Sequence, residues 1–475
     1  MVSTMTSTST VKSEQIAPPL RLAEFRVNKL FGEFDYKIPL NLDSRVTAII
    51  APNGTGKTLC LRMINGFFDS RWSIFAETEF DTVKYKFTNG LSVSIKKDPA
   101  EKESDEIISE SNFEIIISSN ESYNVTAWRP RLYDSKRSAS PERYLPFLSR
   151  IPGNKWRNDH TGQIYSLSEI IERFDASLPK EFKDNAYGKK PEALTAIIDN
   201  IDCKLIETQR LLVFQGNSPE HYYYGQPRPR TNLAIAEKAE TLKEIISREI
   251  NAYAALSQSL DRSFPRRVIQ QQHRLPAEDL RKQLQDLDIK RRKLMAVGIL
   301  DPEADDSVAL PEGEFEGTIS RVLSVYADDT SKKLASLSNI LEKITLFKKL
   351  IDRRFLTKDV TISKSHGIDV YSHGHSVALE KLSSGEQHQL VLFFELLFEI
   401  RHNSLILIDE PELSLHVAWQ KKFISDLMSI IDLNKFDVVL ATHSPQLIGR
   451  WNNLVVELGD VDGDVDEAPA EVIQG

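Results

Sequence analysis

The amino-acid sequence predicts an α/β protein in which a parallel-sheet core is split by a long helical insertion. Three observations carry this expectation. The β-branched run VTAII (residues 46–50) ends in a glycine-bearing turn, APNGTGKT, that opens the helical pattern LCLRMINGF. A second apolar run, SLILID (404–409), delivers two acidic residues at its end and is followed by the strand pattern DVVLAT (437–442). Between them, residues 232–351 are charged, Leu-spaced and poor in Gly, as amphipathic helices or coiled-coil arms are.

The 475 residues amount to two or three domains. Of these 41% are hydrophobic and 27% charged, a balance that excludes a disordered chain. With 60 Lys+Arg against 69 Asp+Glu the net charge is −9, so any nucleic-acid contact must be local. Cys60 and Cys203 are too few for a disulfide framework or a zinc finger, which suits a reducing compartment. The Ser/Thr-rich start lacks the apolar core of a signal peptide, and no run approaches the ~20 apolar residues of a membrane helix. A cytoplasmic protein without membrane contact is expected.

In chain order, residues 1–19 read as a leader. Residues 20–128 form a first lobe with strands LRLAEFRV, FDYKIPL and VTAII. DTVKYKF and LSVSIKK alternate apolar with polar positions, and Thr88-Asn89-Gly90 between them predicts a hairpin with a type I′ turn. FEIIIS (113–118) is a further strand. Residues 129–231 are a mixed insertion without a nameable motif, and 232–351 the helical one, where Pro265 and Pro276 are expected to break the run into several helices. A second lobe, 352–456, opens with strands DVTISKS and IDVYSHG. It continues through a helix (Gln387–Arg401), the strand SLILID, another helix and DVVLAT, and residues 457–475 are an acidic tail.

The strand–turn–helix at 46–67 is the setting a phosphate loop needs. Gly54 and Gly56 let the backbone N–H groups of the Asn53–Thr58 turn, Thr55 included, point at phosphate oxygens. Lys57 supplies charge to the β- and γ-phosphates and Thr58 a hydroxyl to Mg²⁺, so ATP and Mg²⁺ are the expected cofactors. The usual first glycine of such a loop is Ala51 here. At the end of SLILID, Asp409 is placed to hold Mg²⁺ and Glu410 to polarise the attacking water as general base. LSSGEQ (382–387) precedes a helix, so Ser383, Ser384 and Gly385 form a second anion turn, a pattern that equally serves simple N-capping. His443 ends another apolar strand, a place a structural histidine also occupies.

Taken together, APNGTGKT, LSSGEQ, LILIDEPE, the following LSLH and His443 resemble an ABC-class ATPase. The Glu after Ser-Ser-Gly, and a gap of about 325 residues between phosphate loop and signature, resemble the SMC, RecF and OLD branch, in which helical arms interrupt the nucleotide-binding domain. The resemblance covers roughly residues 20–125 and 355–455. It implies an ABC-type P-loop domain and a composite site in which two protomers sandwich ATP. The Ser383–Gly385 turn of one would cap the γ-phosphate held by Lys57 of the other. Glu410 would drive hydrolysis, His443 would contact the γ-phosphate, Ser414 would lie near the dimer interface, and Gln209 would be the Q-loop glutamine.

OLD nucleases carry a Toprim domain after the ATPase, whereas only about thirty residues follow His443 here. The chain therefore resembles the stand-alone ATPases of anti-phage systems such as PARIS, Septu and certain retrons, which work beside a separately encoded nuclease. The rival expectation is a RecF-like or SMC-like ATPase acting on DNA in repair. Ten Arg/Lys against five acidic residues between Asp261 and Lys293 would suit a phosphate backbone, an acidic partner or a solvated helix face. His366, His373 and His375 fall where a hairpin turn is expected rather than a metal site, and Asp460, Asp462 and Asp464 read as solvated tail rather than a calcium loop.

Overall fold

A computed structural model of the chain describes residues 18–458 apart from 53, 99–111, 120–124, 131–139, 154, 160, 175–176, 180–181, 183–187, 189, 208–211, 215–230, 272–275, 302–316 and 356. The expected leader (but for its last two residues), nearly all of the acidic tail, Asn53 and Gln209 lie outside the described residues. The chain divides into two compact units, one built mainly on residues 62–203 with the N-terminal strands, the other on 41–61 and 204–458.

The first unit holds a six-stranded antiparallel sheet whose order runs Phe34–Pro39, Leu22–Leu30, Thr82–Phe87, Leu91–Lys97, Phe113–Ser119, Thr126–Trp128. Period-2 alternation makes it one-sided: Val83, Tyr85 and Phe87 are buried while the residues between them are not. Tyr85 stacks on Phe67, with centroids 4.3 Å apart, and its hydroxyl donates to the Met63 carbonyl at 2.9 Å. The hairpin at 88–90 differs from expectation. Of its loop residues only Gly90 has a positive φ (79°), and a type I′ turn needs two, so this is a three-residue loop closed by a left-handed glycine. Asn89 instead caps the loop, its side-chain oxygen accepting the Leu91 N–H at 3.1 Å. Within the mixed insertion lie a three-stranded sheet (Leu148–Ile151, Lys155–Asn158, Ile164–Tyr165) and helices Leu167–Arg173 and Glu192–Asn200.

The second unit is built on a five-stranded sheet in the order Cys203–Ile206, Leu405–Asp409, Asp437–Thr442, Val46–Ile50, Val455–Glu457. Leu405–Ile408 and all of Asp437–Thr442 are buried without alternation, as strands covered on both faces are. Helix Val417–Asn434 buries Phe423, Ile424, Leu427, Ile430 and Ile431, a stripe at helical spacing. The expected helix at Gln387–Arg401 begins earlier, at Ser384, and is α-helical only to Phe394. It then widens into a π turn, Glu395–Glu399, before Ile400 turns extended. The hairpin formed by Asp359–Ser363, Gly367–Ser372 and His375–Val377 contains a true type I′ turn at His373-Gly374 (φ 50° and 80°), so His373 belongs to turn chemistry while His375 opens the third strand.

The helical insertion consists of Ala234–Gln270, Ala277–Ala296, Gly317–Ser336 and Ser338–Asp352. The first is continuous over 37 residues, about 55 Å, and runs through Pro265, contrary to expectation. Proline removes one N–H, the i→i−4 partner of the Asp261 carbonyl, and side chains brace the backbone just before that point. Ser263 Oγ donates to Ser259 and Leu260 carbonyls, both at 3.1 Å, and the Arg267 guanidinium donates to Leu260 O at 2.7 Å. Arg267 is itself paired with Asp329 on the neighbouring helix. Pro276 does mark a boundary, as the residue just before Ala277–Ala296, whose Leu280, Leu287 and Leu294 recur every seven residues and are all buried.

The α/β fold class expected from the sequence, a parallel-sheet core split by a helical insertion, is thus the observed one. The hairpin meets the base of the insertion at Gly367, whose φ is +73° and where an added Cβ would lie 1.9 Å from the Ala239 carbonyl oxygen. Gly367→Ala is therefore expected to cost roughly 2–4 kcal/mol in urea denaturation. Gly374→Ala, at φ +80° with nothing within 4 Å, should cost about 1–2 kcal/mol.

Candidate nucleotide site

The parallel register aligns three strand ends on one edge of the sheet. Asp409 lies opposite Ala441, and Thr442 opposite Ile50, which leads into Ala51. Ligand groups of open α/β sheets collect at such carboxyl ends.

At the first of these ends the backbone curls through Gly54 (φ 85°) and Gly56 (φ 89°) into helix Lys57–Phe68. Ala51 is buried and is not among the residues with positive φ, so alanine in place of the usual glycine is unstrained here. Lys57 is 5% exposed, and its ammonium group folds across the turn to the carbonyl oxygens of Ala51 (2.7 Å) and Pro52 (2.8 Å). Thr55 Oγ1 donates to Pro52 O at 2.9 Å, which tightens the same loop. The lysine charge is thereby held inside the turn, ready to exchange carbonyl oxygens for stronger anionic acceptors.

Thr58 Oγ1 donates to Asp409 Oδ1 at 3.2 Å, joining residues 351 positions apart. A hydroxyl and a carboxylate meeting at one point are hard oxygen donors, and they fit Mg²⁺. Glu410 follows in the left-handed conformation (φ 45°, ψ 54°), uncommon for a non-glycine residue, while its N–H extends the ladder to Ala441 O at 2.9 Å. The side chains of Glu410 and His443 are 28% and 40% exposed, with Glu410 Oε1 3.9 Å from His443 Nδ1, so both open onto the same edge.

The Ser383–Gly385 turn starts its helix with a capping box. Glu386 Oε2 accepts from the Ser383 N–H (2.9 Å) and hydroxyl (2.8 Å), and the Glu386 N–H points back to Ser383 Oγ at 3.4 Å. Lys358 Nζ takes Glu386 Oε1 at 2.7 Å. The Ser383 hydroxyl therefore works as an N-cap, while Ser384 is exposed and Gly385 half-buried. Burial raises the Glu386 pKa, but the Lys358 and Ser383 contacts outweigh it, and the carboxyl sits below its ordinary value. Ser414, expected near a dimer interface, lies in the 3-10 turn Pro411–Ser414 after the acidic strand.

Three side chains that sequence reasoning passed over organise the site. Gln387, behind the Ser383 turn, donates to the carbonyls of Glu380 (3.1 Å) and Leu382 (2.9 Å). Gln420 receives the Ser444 hydroxyl at 2.9 Å and donates to Leu415 O at 3.2 Å. Glu412, with a side chain 4% exposed, lies 3.0 Å from His443 Nδ1. The signal in the sequence is the third acidic residue of DEPE, Glu412, which follows the two that end the strand.

Glu386 stabilises the fold above its unfolded pKa, and that contribution is lost as pH falls through its lowered folded pKa. Lys358→Met should therefore cost about 1–3 kcal/mol at pH 7 and much less at pH 3, as read from urea denaturation at both pH values.

Comparison with known proteins sets the site in context. Residues 29–448 match the AAA ATPase domain family, most of the chain. A curated relative, Protein ea59 of Escherichia phage lambda, is 30% identical over 121 residues, and the match spans 25% of this chain and only 23% of that protein. Among solved structures, the Smc head domain with an extended coiled coil bound to the C-terminal domain of ScpA, from Pyrococcus furiosus, aligns at 11% identity and a TM-score of 0.33, over 93% of this chain and 94% of that one. The SMC head domain from Thermotoga maritima aligns at 13% identity and a TM-score of 0.29, over 90% and 91%. With the phosphate loop, the acidic strand end and the family match all on one chain, the protein belongs to the AAA ATPase domain family.

Proposed function

We propose that this chain is a Mg²⁺-dependent ABC-type ATPase that hydrolyses ATP to ADP and phosphate at composite sites between two protomers. Its cycle holds or releases a separate partner protein. The observation that carries the nucleotide chemistry is the Thr58–Asp409 contact at the mouth of the phosphate loop. Lys57 exchanges the Ala51 and Pro52 carbonyls for the β- and γ-phosphates. Mg²⁺, held by Thr58 and Asp409, would neutralise charge on the phosphates. Glu410 accepts the proton of the attacking water, and its exposed carboxylate beside His443 supports that role. Two features support a composite site. Ser384 in the serine turn is exposed, and Leu413 and Val417, which flank the loop after the acidic strand, are 64% and 53% exposed.

For the partner, a separately encoded nuclease in anti-phage defence is the favoured reading, resting on the resemblance to stand-alone defence ATPases. The second reading, an ATPase acting on DNA in repair, draws support from Arg262, Arg266, Lys282, Lys290, Arg292 and Lys293, all exposed on the insertion helices. Placement in the cytoplasm is part of the same proposal. Among the described residues no helix is long and apolar enough to cross a membrane.

Lys57→Ala is expected to abolish ATP binding measured by titration with a fluorescent ATP analogue. Glu410→Gln should keep that binding but slow phosphate release by about 10²–10⁴-fold. Near-normal turnover by purified Glu410→Gln would refute its role as general base. Tagged Glu410→Gln recovered from the native host in MgATP and analysed by mass spectrometry separates the partner readings. A nuclease from a neighbouring gene favours defence, and repair proteins lost on nuclease treatment favour the DNA reading.

A further inference from the structure

The loop after the acidic strand carries a buried carboxylate that the chemistry above does not use. Glu412 is 6% exposed, and a single oxygen, Oε1, gathers three contacts from the end of the neighbouring strand. The Thr442 hydroxyl donates to it at 2.8 Å and the His443 backbone N–H at 2.8 Å, and the His443 ring nitrogen Nδ1 stands 3.0 Å away. Oε2 is buried without a hydrogen-bond partner among the described residues. Gln420 closes the same junction from helix Val417–Asn434, taking the Ser444 hydroxyl at 2.9 Å and approaching Glu412 O at 3.4 Å. Oε1 thus offers the ring nitrogen Nδ1 an acceptor at 3.0 Å, an arrangement that favours a proton on that nitrogen. A neutral imidazole protonated at Nδ1 has its acceptor lone pair on Nε2, at the other side of the ring.

We infer that Glu412 is the positioning residue of His443. It fixes the Nδ1–H tautomer and the ring orientation, so that Nε2 is the atom turned toward the nucleotide. The inference rests on the ATPase reading only for its consequence in turnover, because the tautomer is a property of the protein alone. Nothing about Glu412 requires it to touch the substrate. It acts through His443, as an outer carboxylate orients a functional imidazole elsewhere.

Two measurements on the purified full chain test this. Nitrogen-15 NMR of histidine-labelled protein reports the tautomer directly, with the His443 signal identified by its absence from His443→Ala. The wild type is expected to show the Nδ1–H form, and Glu412→Gln a mixture. An Nε2–H ring in the wild type, or an unchanged ring in Glu412→Gln, overturns the inference, and the wild-type spectrum decides even if the variant does not fold. In steady-state kinetics, Glu412→Gln should lower kcat for ATP about 10–100-fold, with nucleotide affinity within about twofold. Added to His443→Ala, it should cause no further loss beyond about twofold. A full additional loss in the double variant would make Glu412 merely structural and sink the assignment. A wild type with the expected tautomer but no ATP turnover would sustain the positioning role and count against the ATPase reading alone.

Discussion

The parallel ladder that sets Asp409 beside Ala441 and Thr442 beside Ile50 is the constraint on which the site depends. Each functional group sits at or just past the end of a strand, so the register decides whether the groups meet. Strand pairing alternates sides with every residue, and a slip of one position would turn Asp409 away from Thr58. The continuous burial of Leu405–Ile408 and Val438–Ala441 holds this register in place. Any slip would push Asp409 or Asp437 into the apolar layers on either face. The core packing and the geometry of the candidate nucleotide site are therefore set by the same hydrogen bonds.

The acidic loop stores strain where the chemistry is proposed. Glu410 occupies the left-handed region while its backbone N–H stays bonded to Ala441. Such a backbone costs of order 1–3 kcal/mol and persists only when its surroundings over-determine it. Here the surroundings are identifiable: Pro411 follows it, Glu412 anchors the loop to Thr442 and His443, and Gln420 ties the far side to Ser444.

Most of the fold was readable because its signals are local. The apolar runs at 46–50, 405–409 and 437–442 became strands, and the glycine turn before Lys57 formed where the strand–turn–helix order put it. What stayed hidden depends on partners distant in sequence. Pro265 reads as a breaker until Ser263 and Arg267 are seen covering the nearby carbonyls, and the Arg267–Asp329 pair spans two helices. Thr88-Asn89-Gly90 reads as a type I′ turn, but with three residues between the strands only Gly90 needed the left-handed region. Glu412 and Gln420 carry no local signature, since a buried polar side chain is recognised by what it bonds to. The Ser-Ser-Gly turn left two readings open, and the capping box settles that Ser383 is at least an N-cap.

The covered proline in the long insertion helix has a mechanical consequence. A helix whose ladder is intact resists bending along its whole length, whereas one missing a rung is compliant at that point unless side chains splint it. Here the splint is Arg267, and its other hand grips Asp329 on the adjacent helix. Stiffness at Pro265 is thus borrowed from a neighbour. Loss of the Asp329 contact would weaken the bracing beside Pro265, the proline inside this 37-residue helix.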